Sequence, residues 1–166
     1  MSVNGRLCCC VIIALAVMVS SCSTESSAQG STRATSACSL LPASDVAKFL
    51  VHPVHVVEDH RYICSYVSRP GEYMTLDMGA SLAAFGQFNT LWKRYRAGTL
   101  GTGSNSMQVG GFISLWQAYP SSVGGGGRMF ASTRGYVLAV TVPGSIARSE
   151  VVASEGLGTV IAHLKT

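Results

Sequence analysis

The order of apolar and polar positions divides the chain into three parts. Cys8–Val19 is an unbroken apolar run of twelve residues, which is shorter than the roughly 20 residues that a membrane-spanning helix needs. Ser23–Ala37 contains no bulky apolar side chain and is rich in Ser, Thr, Ala and Gly. Such a stretch has little surface to bury, so it predicts a flexible tether. From residue 38 to 166, apolar positions recur with helix and strand periods, which predicts a single folded domain.

Three segments of this domain have helical periodicity. Val46, Phe49 and Leu50 follow Pro42, a residue that suits the first helical position. A second helix is predicted after Ser81 as its N-cap, with apolar and aromatic residues three and four apart as far as Tyr95. A third helix is predicted to open at Pro143-Gly144-Ser145, with a buried side made of Val152, Leu157, Val160, Ile161 and Leu164.

Six segments alternate or carry the residue types of strands. Gly98–Ser106 and Gly124–Gly127 lie between these elements and are predicted to be mobile loops, and Arg134-Gly135 is predicted to be a tight hairpin turn. The order helix, three strands, helix, three strands, helix predicts an α+β fold. Its sheet is expected to be mostly antiparallel, with about five to six strands and helices packed on it. The predicted strands are Val54–Asp59, Arg61–Val67, Glu72–Gly79, Phe112–Tyr119, Arg128–Thr133 and Tyr136–Val142.

The apolar run has the length of a signal-peptide core and is preceded by one cation, Arg6. It ends in Val19-Ser20-Ser21-Cys22, which resembles the bacterial lipobox. The resemblance implies that residues 1–21 are removed, that Cys22 receives a diacylglyceryl group and often a further acyl chain such as palmitate, and that 22–37 is the lipidated tether. The alternative is cleavage after Ser26-Ser27-Ala28, which would release an unanchored protein.

Six cysteines occur in the sequence, and Cys8, Cys9 and Cys10 lie in the predicted leader. If Cys22 carries lipid, Cys38 and Cys64 remain as a pair in an oxidising compartment, which favours a disulfide across 26 residues. The alternative for either of them is a nucleophilic thiol, which would need a positioned base.

The charge of the chain excludes few classes of partner. Charged residues make up 12% of the chain, against roughly 25% in ordinary soluble domains. The cationic run Lys93-Arg94-Tyr95-Arg96 has the charge of a nucleic-acid contact, but export would separate the domain from that partner. Cations at a helix C-terminus are also favourable in themselves. Contact with anionic lipid or a partner protein is the other interpretation.

Motifs for chemistry are weak. His52, His55 and His60 fall within nine residues, yet Pro53 interrupts any helix there, so surface or structural histidines are favoured over a metal site. Hydrolase elbows, Ser-x-x-Lys and His-Glu-x-x-His are missing. Carboxylates could meet in space, but the sequence does not select a pair. We therefore predict no catalytic residue, no cofactor and no metal.

Short motifs between residues 37 and 165 resemble a group of small bacterial lipoproteins, best known from actinobacteria, that carry a domain of unknown function. The similarity rests on Ala37–Leu50 with its Cys-x-Leu-Leu stretch, on Cys64-Ser65-Tyr66, on Val109-Gly110-Gly111-Phe112 with Ser114-Leu115-Trp116, and on Arg134–Val140. The resemblance implies a PsbP-like sandwich of sheet and helices and transfers no catalytic residue.

These observations predict a lipoprotein anchored to a bacterial membrane, with its domain facing the periplasm or the exterior. Its expected role is non-enzymatic binding of an envelope protein or a small apolar ligand, and nucleic acid is not expected as a partner. The alternative is an enzyme that acts on cell-envelope material through a site that the sequence does not reveal.

Overall fold

The computed structural model describes residues 36–50, 52–79, 82–133 and 136–165. The predicted signal peptide, Cys22, Ser81 as a helix cap and the Arg134-Gly135 turn lie outside the described residues. All buried apolar residues that the structure describes lie between Ala37 and Ile161. This part of the chain therefore carries its own hydrophobic core.

Seven strands form one antiparallel sheet, which confirms the α+β class and corrects the expected strand number. The sheet order is β1-β2-β3-β7-β6-β5-β4, so β1 and β4 are the edges. Each neighbouring pair is antiparallel. The strands are β1 His55–Asp59, β2 Ile63–Val67, β3 Tyr73–Asp77, β4 Ser104–Val109, β5 Phe112–Ala118, β6 Gly126–Thr133 and β7 Tyr136–Pro143.

Strand β4 is the strand that the sequence pattern does not predict. It overlaps the predicted loop Gly98–Ser106. Its sequence Ser-Asn-Ser-Met-Gln-Val contains no β-branched residue before Val109, and most of its side chains are exposed or half-buried. An edge strand pairs on one side only, here with β5. It is therefore held mainly by backbone pairing, which leaves a weak hydrophobic signal in the sequence.

Four α-helices pack on the sheet: α1 Ala37–Leu40, α2 Ala43–Leu50, α3 Leu82–Arg96 and α4 Ser149–Leu164. Helix α4 packs on β6 and β7 with α1 and α2 beside it, whereas α3 contacts β5 and β7. The last helix begins at Ser149, later than the predicted Pro143, because β7 continues to Pro143 in register with Gly126. A turn in which the Ile146 N–H donates to the Pro143 carbonyl then intervenes.

Strand alternation divides the buried side chains into two cores, one under α4 and one under α3. On β7, Leu138, Val140 and Val142 belong to the α4-side core, while Val137 and Ala139 belong to the α3-side core. Successive side chains of a strand point to opposite faces. Helices therefore cover both faces of the central strands.

Gly126 and Gly127 correct the prediction of a mobile loop at 124–127. Both belong to β6, and Gly126 has a φ of +76°. A Cβ on Gly126 would collide with the Val142 carbonyl oxygen, and one on Gly127 would lie 2.5 Å from the Trp116 ring. These glycines therefore allow close packing of strand on strand and of strand on ring.

The amino-terminal helices are tied to the sheet through β2. A disulfide joins Cys38 of α1 to Cys64, with 5.1 Å between the two Cα atoms, as the cysteine count predicts. The buried Tyr66 hydroxyl donates a hydrogen bond to the Leu41 carbonyl. Burial raises the pKa of this hydroxyl well above its ordinary value, and the Asp59 carboxylate adds to the rise.

Candidate ligand-binding cavity

A cavity of about 390 Å³, open to solvent on one side, lies between the C-terminal end of α4 and the sheet. Register pairs Phe112 with Val109 and Thr133 with Tyr136, so these positions share the end of the sheet where β4, β5, β6 and β7 turn. Its lining is formed by Phe112, Thr133 and Tyr136 from the sheet and by Ile161, Leu164 and Lys165 from α4 and its C-cap. We call it the α4 cavity.

A two-residue hairpin turn places the sheet side of the α4 cavity close to helix α4. Gly110 and Gly111 connect β4 to β5 with φ values of +57° and +87°, the conformation of a tight turn that twists with its strands. A Cβ on Gly110 would lie 2.7 Å from Cγ2 of Ile161. Glycine at this position therefore lets the turn approach the helix closely enough to bring Phe112 under α4.

The Thr133 hydroxyl is the unusual group of the α4 cavity. Its Oγ1 atom is buried and has no hydrogen-bond partner within the described residues. An unpaired buried hydroxyl costs roughly 1–3 kcal/mol, and such groups are rare in native structures. Thr133 lines a cavity that is otherwise mostly apolar. Its Oγ1 atom has almost no accessible surface, so the hydroxyl reaches a molecule in the cavity only when the side chain rotates about χ1.

Lys165 supplies a positive charge at the rim of the α4 cavity. Its Nζ donates to the Gly110 carbonyl at 2.8 Å and lies 5.5 Å from the centre of the Phe112 ring. The side chain is exposed, so the ammonium group is hydrated. An ammonium with three donors retains capacity for an acceptor that enters the cavity.

Polar residues elsewhere are mostly satisfied within the protein. A row on the face opposite to α4 crosses the seven strands in register: Glu58, Ser65, Thr75, Thr141, Arg128, Gln117 and Ser104. Ser65 donates to Glu58 at 2.8 Å, and Arg128 Nε donates to Thr141 at 2.6 Å. This row therefore pairs largely with itself, in contrast to Thr133.

A smaller cavity of about 270 Å³ brings together the residue types of a hydrolase, since His52, Glu72 and Ser145 line it with Phe49, Leu50, Ile146 and Ala147. Their hydrogen bonds run elsewhere. Ser145 donates to the Gly71 carbonyl at 3.2 Å, Ser68 donates to Glu72, and His52 Nδ1 lies 3.2 Å from Arg69. The three side chains thus do not form the relay that activates a serine.

The other residues considered from sequence are dispersed. Within the described part of the chain, no three His, Cys, Asp or Glu side chains are grouped to hold a metal. His60 Nε2 lies 3.6 Å from Glu58, while His55 is exposed on the edge strand β1. Lys93, Arg94 and Arg96 are exposed at the C-terminal end of α3. Cys22 lies outside the described residues.

Sequence reasoning did not single out Thr133 or Lys165. Thr133 is the last residue of the predicted strand Arg128–Thr133, and threonine is common in strands. The signal that could have located it is its neighbour across the turn, since Thr133 pairs with the aromatic Tyr136. Lys165 would have required the contact with Gly110, which is 55 residues distant in sequence.

No protein-family model, curated protein or solved structure matches the chain. None of the helices in the described ranges has the length and apolar character needed to cross a membrane.

Proposed function

We propose that the chain is a lipoprotein of the bacterial cell envelope whose domain binds a small, largely apolar ligand in the α4 cavity. The observation that carries the binding role is the α4 cavity itself, which is mostly apolar and has Thr133 and Lys165 in its lining. Within the described residues, the buried Thr133 hydroxyl has no hydrogen-bond partner. Ligand sites typically combine apolar walls with a few placed polar groups, in volumes of roughly 300–1,000 Å³. The anchoring part of the proposal rests on the lipobox-like Val19–Cys22.

The binding proposal is tested with the chain from Ser23 to Thr166, produced without its leader, and decan-1-ol as the probe. Calorimetry should detect binding to the wild type. Binding to Thr133→Val should be about tenfold weaker, because the variant loses one hydrogen bond of about 1 kcal/mol or slightly more that the Thr133 hydroxyl makes when its side chain rotates toward the alcohol. The same substitution should raise the free energy of unfolding of the ligand-free protein by about 1 kcal/mol, because it removes the unpaired hydroxyl.

Thr159→Val is the matched control, because Thr159 lies on α4 outside the cavity and donates to the Glu155 carbonyl. It should leave decan-1-ol affinity unchanged. Equal affinities of wild type and Thr133→Val would refute the role of the hydroxyl. Failure of the wild type to bind the alcohol would refute the cavity as an apolar ligand site.

Anchoring is tested in cells by replacing the acylated thiol. The Cys22→Ala chain should leave the membrane fraction, since acyl chains stabilise membrane attachment by about 0.8 kcal/mol per buried methylene. Intact-mass spectrometry of the wild-type protein should show a mass consistent with removal of residues 1–21 and addition of acyl groups. A Cys22→Ala protein that stays with the membrane would refute the anchor.

A further inference from the structure

The α4 cavity lies at one end of the sheet, which we call the tethered end. This end comprises the turn between β1 and β2 (60–62), the Gly110-Gly111 turn, Thr133 and Tyr136 where β6 and β7 meet, and the C-terminal end of α4. Antiparallel pairing places the end of β1, β3, β4 and β6 and the start of β2, β5 and β7 there.

The first described residues are held at the same end. The Ala37 N–H donates to the Arg61 carbonyl in the β1–β2 turn at 3.0 Å. Three residues later, the Leu40 carbonyl lies 2.8 Å from Nδ1 of His163, close to the cavity-lining Leu164 and Lys165. The chain therefore enters the domain beside the α4 cavity.

The length of chain before this point limits how far the domain can lie from its anchor. Fourteen residue steps separate Cys22 from Ser36, which reach at most about 50 Å when fully extended. A domain of this size has a radius of gyration of about 14 Å. An acylated Cys22 would thus keep the tethered end within about 50 Å of the bilayer, whereas the limit for the opposite end is larger by the length of the domain.

The side chains of the tethered end suit a lipid–water interface. Tyr62 and Tyr136 are each 39% exposed, and tyrosine is enriched at membrane interfaces. The Arg61 guanidinium lies 5.1 Å from the centre of the Tyr62 ring. Asp59 and Glu58 lie beside this turn, so the surface charge is mixed, and the tether rather than a basic patch supplies the attachment.

The α4 cavity also indicates the chemistry of its ligand. Its volume is near the lower limit of ligand pockets, which favours one acyl chain over the two of a phospholipid. The Lys165 ammonium at the rim favours an anionic oxygen head. The Thr133 hydroxyl can pair with the same head, or with a polar group on the chain, once its side chain rotates toward the cavity. Both a carboxylate and a phosphate have this chemistry.

We infer that the α4 cavity takes an anionic single-chain amphiphile directly from the surface of the membrane to which the chain is anchored. The inference rests on the proposed function, because it requires both the cavity site and the acylated Cys22. It adds the class of ligand and the direction from which the ligand arrives.

The orientation is tested with the acylated protein in vesicles that contain a lipid-borne nitroxide quencher. A fluorophore is attached to Tyr62→Cys at the tethered end or to Val123→Cys, which lies at the opposite end and is 70% exposed. Quenching should be at least threefold stronger at position 62. Equal quenching, or stronger quenching at 123, would overturn the membrane-facing cavity.

The ligand class is tested in solution with the chain from Ser23 and with decanoate, decyl phosphate and decan-1-ol as probes. One or both anions should bind at least fivefold more tightly than the alcohol, and the tighter anion identifies the head group. Lys165→Met should remove this preference, while Lys93→Met on α3 should keep it. Equal affinity for the alcohol and both anions, or an anion preference that survives in Lys165→Met, would overturn the anionic class.

The two levels of proposal fail differently. If none of the three amphiphiles binds, the proposed function itself is refuted. If decan-1-ol binds and weakens on Thr133→Val but no anion is preferred, or if quenching does not distinguish the two ends, the proposed function stands and the further inference is rejected.

Discussion

The Tyr66 hydroxyl connects the sheet to the segment between the first two helices. Its ring is fully buried, and its hydroxyl donates to the Leu41 carbonyl. The fold thus uses tyrosine where phenylalanine would fill the same space, because a buried carbonyl needs a donor. The residue is structural, and its titration is a probe of the amino-terminal helices.

We predict that Tyr66→Phe lowers the free energy of unfolding by about 1–2 kcal/mol at pH 8, because the Leu41 carbonyl loses its partner. Burial raises the folded-state pKa of Tyr66 above its unfolded value of about 10. Its stabilising contribution is therefore complete below pH 10 and is lost as the pH rises toward the folded-state pKa. Urea unfolding at pH 8 and pH 11 should show the gap between wild type and variant narrowing.

Tyr73→Phe is the control for this titration, because Tyr73 is 52% exposed on β3. It should change the unfolding free energy by less than about 0.5 kcal/mol at either pH. A gap between wild type and Tyr66→Phe that stays constant from pH 8 to pH 11 would contradict the assignment.

Arg148 is a second residue that affects stability, in this case through its backbone conformation. It precedes α4 with φ +58° and ψ +39°, and its side chain caps no backbone N–H. No other non-glycine residue in the described part of the chain has a positive φ. A residue with a Cβ atom is strained by about 1 kcal/mol or more at these left-handed backbone angles, and glycine avoids this strain.

We predict that Arg148→Gly raises the free energy of unfolding by about 0.5–1 kcal/mol, measured by urea denaturation. Arg148→Ala removes the same charge but keeps the Cβ, so it should give no such gain. If both variants are equally stabilised, loss of the guanidinium rather than relief of backbone strain is the cause.

At the scale of elements, helix α4 contains two glycines that differ in how closely they approach the sheet. Gly156 is buried and faces Met74 of β3, where an added Cβ would lie 2.6 Å from the methionine Cε. Gly158 is half-buried, and its Cβ would make an ordinary contact of 3.5 Å with Val109. The first glycine allows close packing of helix on sheet, while the second has room for a methyl group.

The two glycines therefore predict different gains for the same substitution. Gly158→Ala should raise the free energy of unfolding by about 0.5–1 kcal/mol through helix propensity. Gly156→Ala gains the same propensity, but the terminal methyl of the buried Met74 must shift to make room, which offsets part of the gain. Thermal and urea unfolding should therefore place Gly156→Ala below Gly158→Ala, and an equal gain in both would show that Met74 moves without cost.

At the scale of the whole molecule, the Cys38–Cys64 disulfide connects the amino-terminal helices to the sheet across 26 residues of sequence. A crosslink of this length limits the unfolded chain and stabilises the fold by about 3–4 kcal/mol. Because the disulfide is attached to α1, it holds α1 and α2 beside α4. Helices this short have little stability of their own.

Reduction of the disulfide should therefore lower the free energy of unfolding by about 3 kcal/mol, measured in urea with and without dithiothreitol on the chain from Ser23. The Cys38→Ala/Cys64→Ala double variant should lose a similar amount and should no longer respond to the reductant. A loss below 1 kcal/mol would mean that the crosslink constrains little.

The class of the fold and the disulfide were accessible from sequence because both follow from local signals. Periodicities of two and of three to four mark strands and helices. Cys38 and Cys64 remain as a pair if Cys8–Cys10 are removed with the predicted leader and Cys22 carries lipid. The predicted buried side of the last helix agrees with the buried Val152, Leu157, Val160 and Ile161. A hydrophobic face is a property of neighbouring residues along the chain, so it can be seen in the sequence.

Strand β4, the two glycines of β6 and the α4 cavity were decided by tertiary structure. Ser104–Val109 becomes a strand because β5 offers it a backbone partner, and Gly126 and Gly127 are required by residues on β7 and β5. Thr133, Tyr136 and Phe112 meet Leu164 and Lys165 only when α4 crosses the sheet. Sequence determines which faces are apolar, whereas the spaces between those faces depend on long-range packing, because no local pattern specifies a contact between residues far apart in the chain.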